Sequence, residues 1–141
     1  MTISETQNEI TEEFEGLTDW MDRYAYIIDT GNTLPEYPES EKVPANLIEG
    51  CQSRVWINAK RNDDGTIHFD ADSDALIVKG IVALLMRVLN DHTPDEILNA
   101  DLYFIDKIGL REHLSPTRSN GLVAMLKQIN NYARAFKLLE K

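Results

Sequence analysis

The sequence predicts an α+β fold in which a small antiparallel sheet of two to three strands packs against several helices. Three observations favour this fold class: helical periodicity at the start of the chain, a pair of neighbouring strands between residues 53 and 71, and helical periodicity in the rest. Strands that cluster, rather than alternate with helices, are typical of α+β proteins. A chain of 141 residues is long enough for one core, so residues 1–141 are predicted to form a single domain.

Two helices are predicted before the strands. The upstream helix has three apolar residues on one stripe: Ile10, Phe14 and Leu17. For the second helix, Thr18 is the expected N-cap, with Asp19 in the first turn, and Gly31 is the expected C′ glycine. Residues 31–50 contain three prolines and almost no periodicity, which predicts a long loop. Loops of this length in a compact domain are often functional.

Alternating residues predict a strand from Ser53 to Arg61, with Val55, Ile57 and Ala59 on one face. A hairpin connection at residues 62–65 leads to a return strand marked by three apolar residues: Ile67, Phe69 and Ala71. The loop around residues 47–48 is a possible third strand.

The remaining helices begin with one over residues 74–90, for which Asp72 and Ser73 are the expected caps. Its apolar residues go nearly all round, which indicates a central, buried helix. Residues 93–96 form a capping box, and a short helix should follow. Another helix ends near Gly109. The last begins at residues 115–116 and has this core stripe: Leu122, Met125, Leu126, Ile129, Ala133 and Phe136.

The net charge of −10 is unevenly distributed. Residues 1–50 hold twelve Asp or Glu against Arg23 and Lys42. This composition argues against nucleic-acid binding, which requires a basic surface. The acidic region is either a solvated face or a surface that steers a basic partner. No apolar run is long enough to cross a membrane, and the first residues lack the pattern of a secretory or transit peptide, so we expect a cytoplasmic protein that does not bind membranes.

Cys51 is the only cysteine, which excludes an internal disulfide and a metal site built from this chain's thiolates alone. It lies where the proline-rich loop becomes a strand, and Gly50 permits a sharp turn just before it. Two interpretations stay open: a small hydrophobic residue in the core, or a reactive thiol. Backbone N–H groups and Arg54 are the nearest candidates to stabilise a thiolate.

No other cluster of residues indicates chemistry as clearly. The three histidines are widely spaced, and His68 is expected at the surface. Asp70, Asp72 and Asp74 alternate as in a calcium loop, but the glycine and the distal glutamate of that motif are missing. Trp56 is expected in the core.

Three separated motifs are distinctive: Gly50-Cys51-Gln52-Ser53-Arg54-Val55-Trp56, the run from Asp72 to Gly80, and the run from Leu114 to Gly121. In this order they resemble the SufE family, the sulfur acceptors of iron–sulfur cluster assembly. The resemblance covers roughly residues 15–135 and also implies a fold similar to the IscU scaffold. It places the family's active cysteine on Cys51, and the neighbouring Gly50, Gln52 and Ser53 would position it.

The resemblance implies that Cys51 accepts sulfur from the persulfide of a SufS-like cysteine desulfurase and passes it to a SufBCD-type scaffold. Removing the persulfide would also stimulate the desulfurase. The chain would need no cofactor of its own, because the pyridoxal phosphate belongs to the desulfurase, and it would be a monomer or a weak homodimer. Asp74, Lys79 and Arg118 are candidate docking or electrostatic residues. Each also has a structural interpretation, as a helix cap or a surface ion pair.

A carrier should shelter its persulfide when it is unbound. We therefore expect Cys51 to be mostly buried at rest and residues 45–52 to swing outward on docking. Three alternatives stay open: a paralogous carrier for a related desulfurase that feeds other acceptors, a stand-alone thiol enzyme, and a passive interaction domain. A stand-alone enzyme needs a base beside the thiol, and no histidine is close to Cys51 in sequence.

Overall fold

The computed structural model describes residues 1–48, 54–110 and 116–139, with side chains from residue 121 onward in the last range. The predicted α+β class is confirmed. The described elements run in this order: α1 (Ile3–Glu15), α2 (Trp20–Gly31), β1 (Val55–Arg61), β2 (Ile67–Ser73), α3 (Leu76–Leu89), α4 (Pro94–Leu98), α5 (Phe104–Lys107) and α6 (Pro116–Leu139). Two short 3-10 turns, Glu39–Glu41 and Pro44–Asn46, interrupt the predicted loop.

Helix α1 begins with a capping box, in which Thr2 and Glu5 each accept a hydrogen bond from the other's backbone N–H. Its inner face buries Ile10 and Phe14 as predicted, whereas Leu17 lies beyond the end of the helix.

The prediction for both ends of α2 is corrected. Asp19, not Thr18, is the N-cap, and its carboxylate accepts a hydrogen bond from the Met21 N–H at 2.9 Å. Gly31 is the last residue of the helix rather than a C′ residue in the left-handed region. A Cβ on Gly31 would lie 2.8 Å from the backbone nitrogen of Gly80, so its missing side chain lets α2 and α3 touch through their backbones.

Strands β1 and β2 form an antiparallel hairpin in which Val55 pairs with Ser73 and Arg61 with Ile67. Gly65 has φ +87°, a left-handed value that suits glycine, and it closes the predicted turn. The predicted inward-facing residues include Val55 and Ile57, which are fully buried. The possible third strand is reduced, among the described residues, to a single bridge between Leu47 and Trp56.

The predicted cap of α3 is wrong. Asp72 and Ser73 belong to β2, and α3 begins at Leu76 after Ala75, which provides no side-chain cap. Strand pairing takes precedence over capping here, because Asp72 and Ser73 complete the ladder with Trp56 and Val55.

Helix α3 is central and mostly buried, as predicted, and packs between α2 and β2. The capping box at the start of α4 is confirmed. Helix α6 buries four residues of its predicted stripe: Leu122, Met125, Ile129 and Ala133. None of the helices in the described ranges is long and apolar enough to cross a membrane.

Candidate functional site

Cys51 and its predicted positioning residues Gly50, Gln52 and Ser53 lie outside the described residues, as do the predictions about its burial. The same is true of most of the segment expected to swing outward. The structure does describe the chain on both sides, up to Ile48 and from Arg54 onward. The candidate site therefore consists of these two flanks and the residues that contact them.

The upstream flank is attached to the edge of β1. The Ile48 N–H donates to the Val55 carbonyl at 2.8 Å, and Leu47 forms an antiparallel bridge with Trp56. Ile48 is only 6% exposed, so an apolar anchor supports this backbone contact. The chain therefore leaves and rejoins the sheet at neighbouring positions.

The downstream flank is held by Asp74. Its carboxylate accepts a hydrogen bond from the Arg54 N–H at 3.0 Å, and its own N–H donates to the Arg54 carbonyl at 3.2 Å. The sequence-based alternative of Asp74 as a helix cap is therefore wrong. Instead, it extends the hairpin beyond the Val55–Ser73 pair and ties Arg54 to the start of the β2–α3 connection.

Lys79 does not join Asp74. Its ammonium lies 3.4 Å from one oxygen of Asp72, and the Lys42 ammonium lies 3.3 Å from the other. The Asp72 side chain is only 19% exposed and lies between these two cations. The Asp72 carboxylate of β2 thus connects Lys42 of the preceding loop with Lys79 of helix α3.

Lys42 also lies over the indole ring of Trp56, 5.1 Å from its centroid. A hydrogen bond to Glu39, opposed by some desolvation and reinforced by Asp72, raises the pKa of the Lys42 ammonium. Neither the role of Lys42 nor the shared role of Asp72 is predicted from the sequence. Asp72 suits a helix cap as well as a strand position, and nothing in the aperiodic loop indicates where Lys42 lies.

Arg118 is the third residue of α6. Its side chain lies outside the described part of the structure, so its role stays a prediction.

Neither His68 nor His92 belongs to a metal cluster. His68 lies 3.1 Å from Asp91 and 3.5 Å from Asp70, and His92 lies 3.3 Å from Glu96. Within the described ranges, no three His, Cys, Asp or Glu side chains are grouped so that they could hold a metal ion.

Comparison with known proteins identifies the class. The chain carries a domain of iron–sulfur metabolism, since the family model described as "SufE: Fe-S metabolism associated domain" matches residues 8–133. The chain belongs to the SufE family, which consists of accessory proteins of that metabolism.

The fold is also similar to a solved structure, the solution structure of a hypothetical protein from Thermus thermophilus. The TM-score is 0.76 and the sequence identity 22%, with 94% of this chain and 96% of that chain covered. At this identity the likeness establishes the fold alone.

Proposed function

We propose that the chain is a sulfur carrier in which Cys51 accepts sulfur from a cysteine desulfurase and delivers it to iron–sulfur cluster assembly. The observation that carries the proposal is family membership over residues 8–133, a range that contains the only cysteine of the chain. The donor would be a SufS-like enzyme with its own pyridoxal phosphate, and the acceptor a SufBCD-type scaffold.

The transfer is a thiol exchange whose atoms and electrons balance without an external oxidant. The Cys51 thiolate attacks the outer sulfur of the desulfurase persulfide, and a new S–S bond forms on Cys51. The S–S bond of the donor breaks, and the desulfurase cysteine leaves as a thiolate. The oxidation state moves with the transferred sulfur, and removing the persulfide frees the desulfurase for its next turnover.

The described flanks support a carrier in one respect. Cys51 follows Ile48 by three positions in the sequence, so chain length alone keeps its Cα within about 11 Å of that anchor. Ile48 and Arg54 are each bonded to the hairpin or its extension. Cys51 is therefore confined by chain length to the neighbourhood of the hairpin, which suits a carrier whose thiol has to meet a docked donor at one place.

A stand-alone thiol enzyme gains no support from the described residues. The imidazoles of His68 and His92 contact the carboxylates of Asp91 and Glu96, in the hairpin and helix connections. A paralogous carrier for a related desulfurase would use the same chemistry, and the identity of the donor separates the two carriers.

The test is sulfur loading followed by intact mass. The chain is mixed with free cysteine and a purified SufS-like desulfurase or, in parallel, a desulfurase of the related class. We expect the chain to gain the mass of one sulfur atom, reversible by a small thiol, and alanine production by its preferred donor to rise.

The control is Cys51→Ser, which should gain no sulfur and should not stimulate alanine production. A Cys51→Ser chain that stimulates fully would refute the carrier role and favour a passive interaction domain. Turnover of peroxide or ester substrates by the chain alone would favour the stand-alone enzyme.

A further inference from the structure

The segment before the upstream anchor is weakly attached to the rest of the molecule. We call residues 38–47 the strap. Tyr37 and Ile48 at its two ends are 5% and 6% exposed, but every residue between them is exposed or half-buried. Segments with few buried apolar contacts open locally more readily than the core.

Two open spaces border the strap. A cavity of about 490 Å³ lies between its residues Glu41 and Asn46 and the sheet residues Asn58 and Asp70. A second cavity, of about 450 Å³, separates the Pro44 region of the strap from α6. Both spaces are open to solvent, so this part of the strap borders water instead of packing closely against the sheet and α6.

One buried polar atom near the strap lacks a partner. The side-chain oxygen of Asn58 is buried without a hydrogen-bond partner in the described part of the chain, although the Asn58 amide nitrogen donates to Glu41 at 3.3 Å. A buried acceptor without a partner is unfavourable. Lifting the strap would let water reach this oxygen, which offsets part of the cost of opening.

Polar contacts hold the strap against the sheet, and Lys42 makes two of them. Its contact with Asp72 at 3.3 Å is the only ion pair between strap and sheet among the described residues. Its position over Trp56 adds a cation–π contact. The other side-chain contacts of the strap come from neutral donors: Tyr37 donates to the Glu41 carbonyl at 3.2 Å, Tyr132 to Asn46 at 3.4 Å and Asn58 to Glu41 at 3.3 Å.

We propose that Lys42 is a latch that sets how often the strap lifts from the sheet, and so how firmly Ile48 is anchored upstream of Cys51. The strap ends at the Leu47–Trp56 bridge and is followed by the Ile48–Val55 hydrogen bond. When the strap lifts, these two contacts are therefore the next to break. The latch is electrostatic and partly exposed, and salt weakens it. Its use in offering a thiol rests on the proposed function, whereas the latch itself does not.

Amide hydrogen exchange by NMR tests the latch without any desulfurase. Lys42→Met should speed exchange of the Ile48 amide about tenfold, the combined effect of one partly exposed ion pair and one cation–π contact. The Asn62 amide, bonded to Thr66 at the far end of the hairpin, should not change. Lys60→Met is the matched control, because Lys60 lies on β1 without an ion pair to a described residue.

Two further measurements use the same readout. Salt should speed Ile48 exchange in the unaltered chain but have little effect in Lys42→Met. Asp72→Asn should reproduce the Lys42→Met effect, and the double variant should add little. Ile48 exchange that ignores salt, or that responds equally to Lys60→Met, would overturn the proposal. Failure of sulfur loading with a working latch would refute the carrier role alone.

Discussion

Replacing Gly80 by alanine tests the backbone contact between α2 and α3. A Cβ on Gly80 would lie 2.7 Å from the carbonyl carbon of Ile27 and nearer still to its oxygen. Carbon atoms normally pack at about 3.5–4.0 Å. The obstacle is backbone within a helix and cannot rotate away, so the two helices must separate by about 1 Å to reach that range.

The expected cost follows from two opposing effects. Overpacking a core costs about 1–3 kcal/mol, and a clash with helix backbone belongs at the upper end, about 3 kcal/mol. Alanine returns about 1 kcal/mol because it favours helix more than glycine does. The net loss is about 2 kcal/mol, which for a chain of this length lowers the melting temperature by about 8 °C. Calorimetry together with urea denaturation measures both values.

Gly16→Ala is the matched control. Gly16 has φ −74°, and a Cβ there would meet nothing closer than the Glu13 carbonyl oxygen at 3.7 Å. The same chemical change should therefore stabilise the chain by about 0.5 kcal/mol, through lower entropy of the unfolded state. If Gly80→Ala matched Gly16→Ala in sign and size, the two helices would not be in backbone contact in solution.

Three further predictions concern single polar contacts. Asp74→Ala should speed hydrogen exchange of the Arg54 amide about fivefold, because one hydrogen bond of about 1 kcal/mol is lost. Asp74→Asn keeps an acceptor oxygen and should change the exchange rate little. Equal effects of the two variants would contradict the hydrogen bond between Arg54 and Asp74. Hydrogen bonds from Thr93 lower the pKa of Glu96. The stability that the Glu96 carboxylate contributes is therefore full above pH 4.5 and is lost as pH falls through the lowered pKa. Glu96→Gln should lack this pH-dependent loss in acid denaturation, and an unchanged profile would refute the assignment. Burial, with a smaller contribution from Glu41, raises the pKa of Tyr37 from 10 to about 12. The stability that the neutral Tyr37 phenol contributes is therefore full below pH 10 and declines as pH rises toward 12. Tyr37→Phe should remove that decline in alkaline unfolding, and a decline of the same size would refute the assignment.

The hairpin shows what local pattern can predict. Alternation and the turn at residues 62–65 were enough to identify the two strands and their buried face, because the period of two and the turn chemistry act over neighbouring residues. The same pattern could not show that Asp72 and Ser73 extend the strand. Their side chains suit a helix cap equally well, and only the pairing with Trp56 and Val55 decides between the two.

Gly31 and Lys42 show where sequence patterns are insufficient. A glycine at a helix end fits a C′ residue and a close helix contact equally well, and only the position of Gly80 distinguishes them. Lys42 lies in a stretch without periodicity, and its partners Trp56 and Asp72 are distant in sequence. Cys51 stood out for a different reason, its place at the junction of loop and strand.

Asp72 and Asp74 divide the support of the site between them. Asp74 fixes the downstream flank through Arg54, and Asp72 fixes the strap upstream through Lys42. One carboxylate lies in β2 and the other just after it, so both flanks are tied to a single paired strand. A substitution at either carboxylate should therefore loosen one flank and leave the other in place. Competition for Lys42 should therefore release the strap and leave the two hydrogen bonds between Asp74 and Arg54 in place.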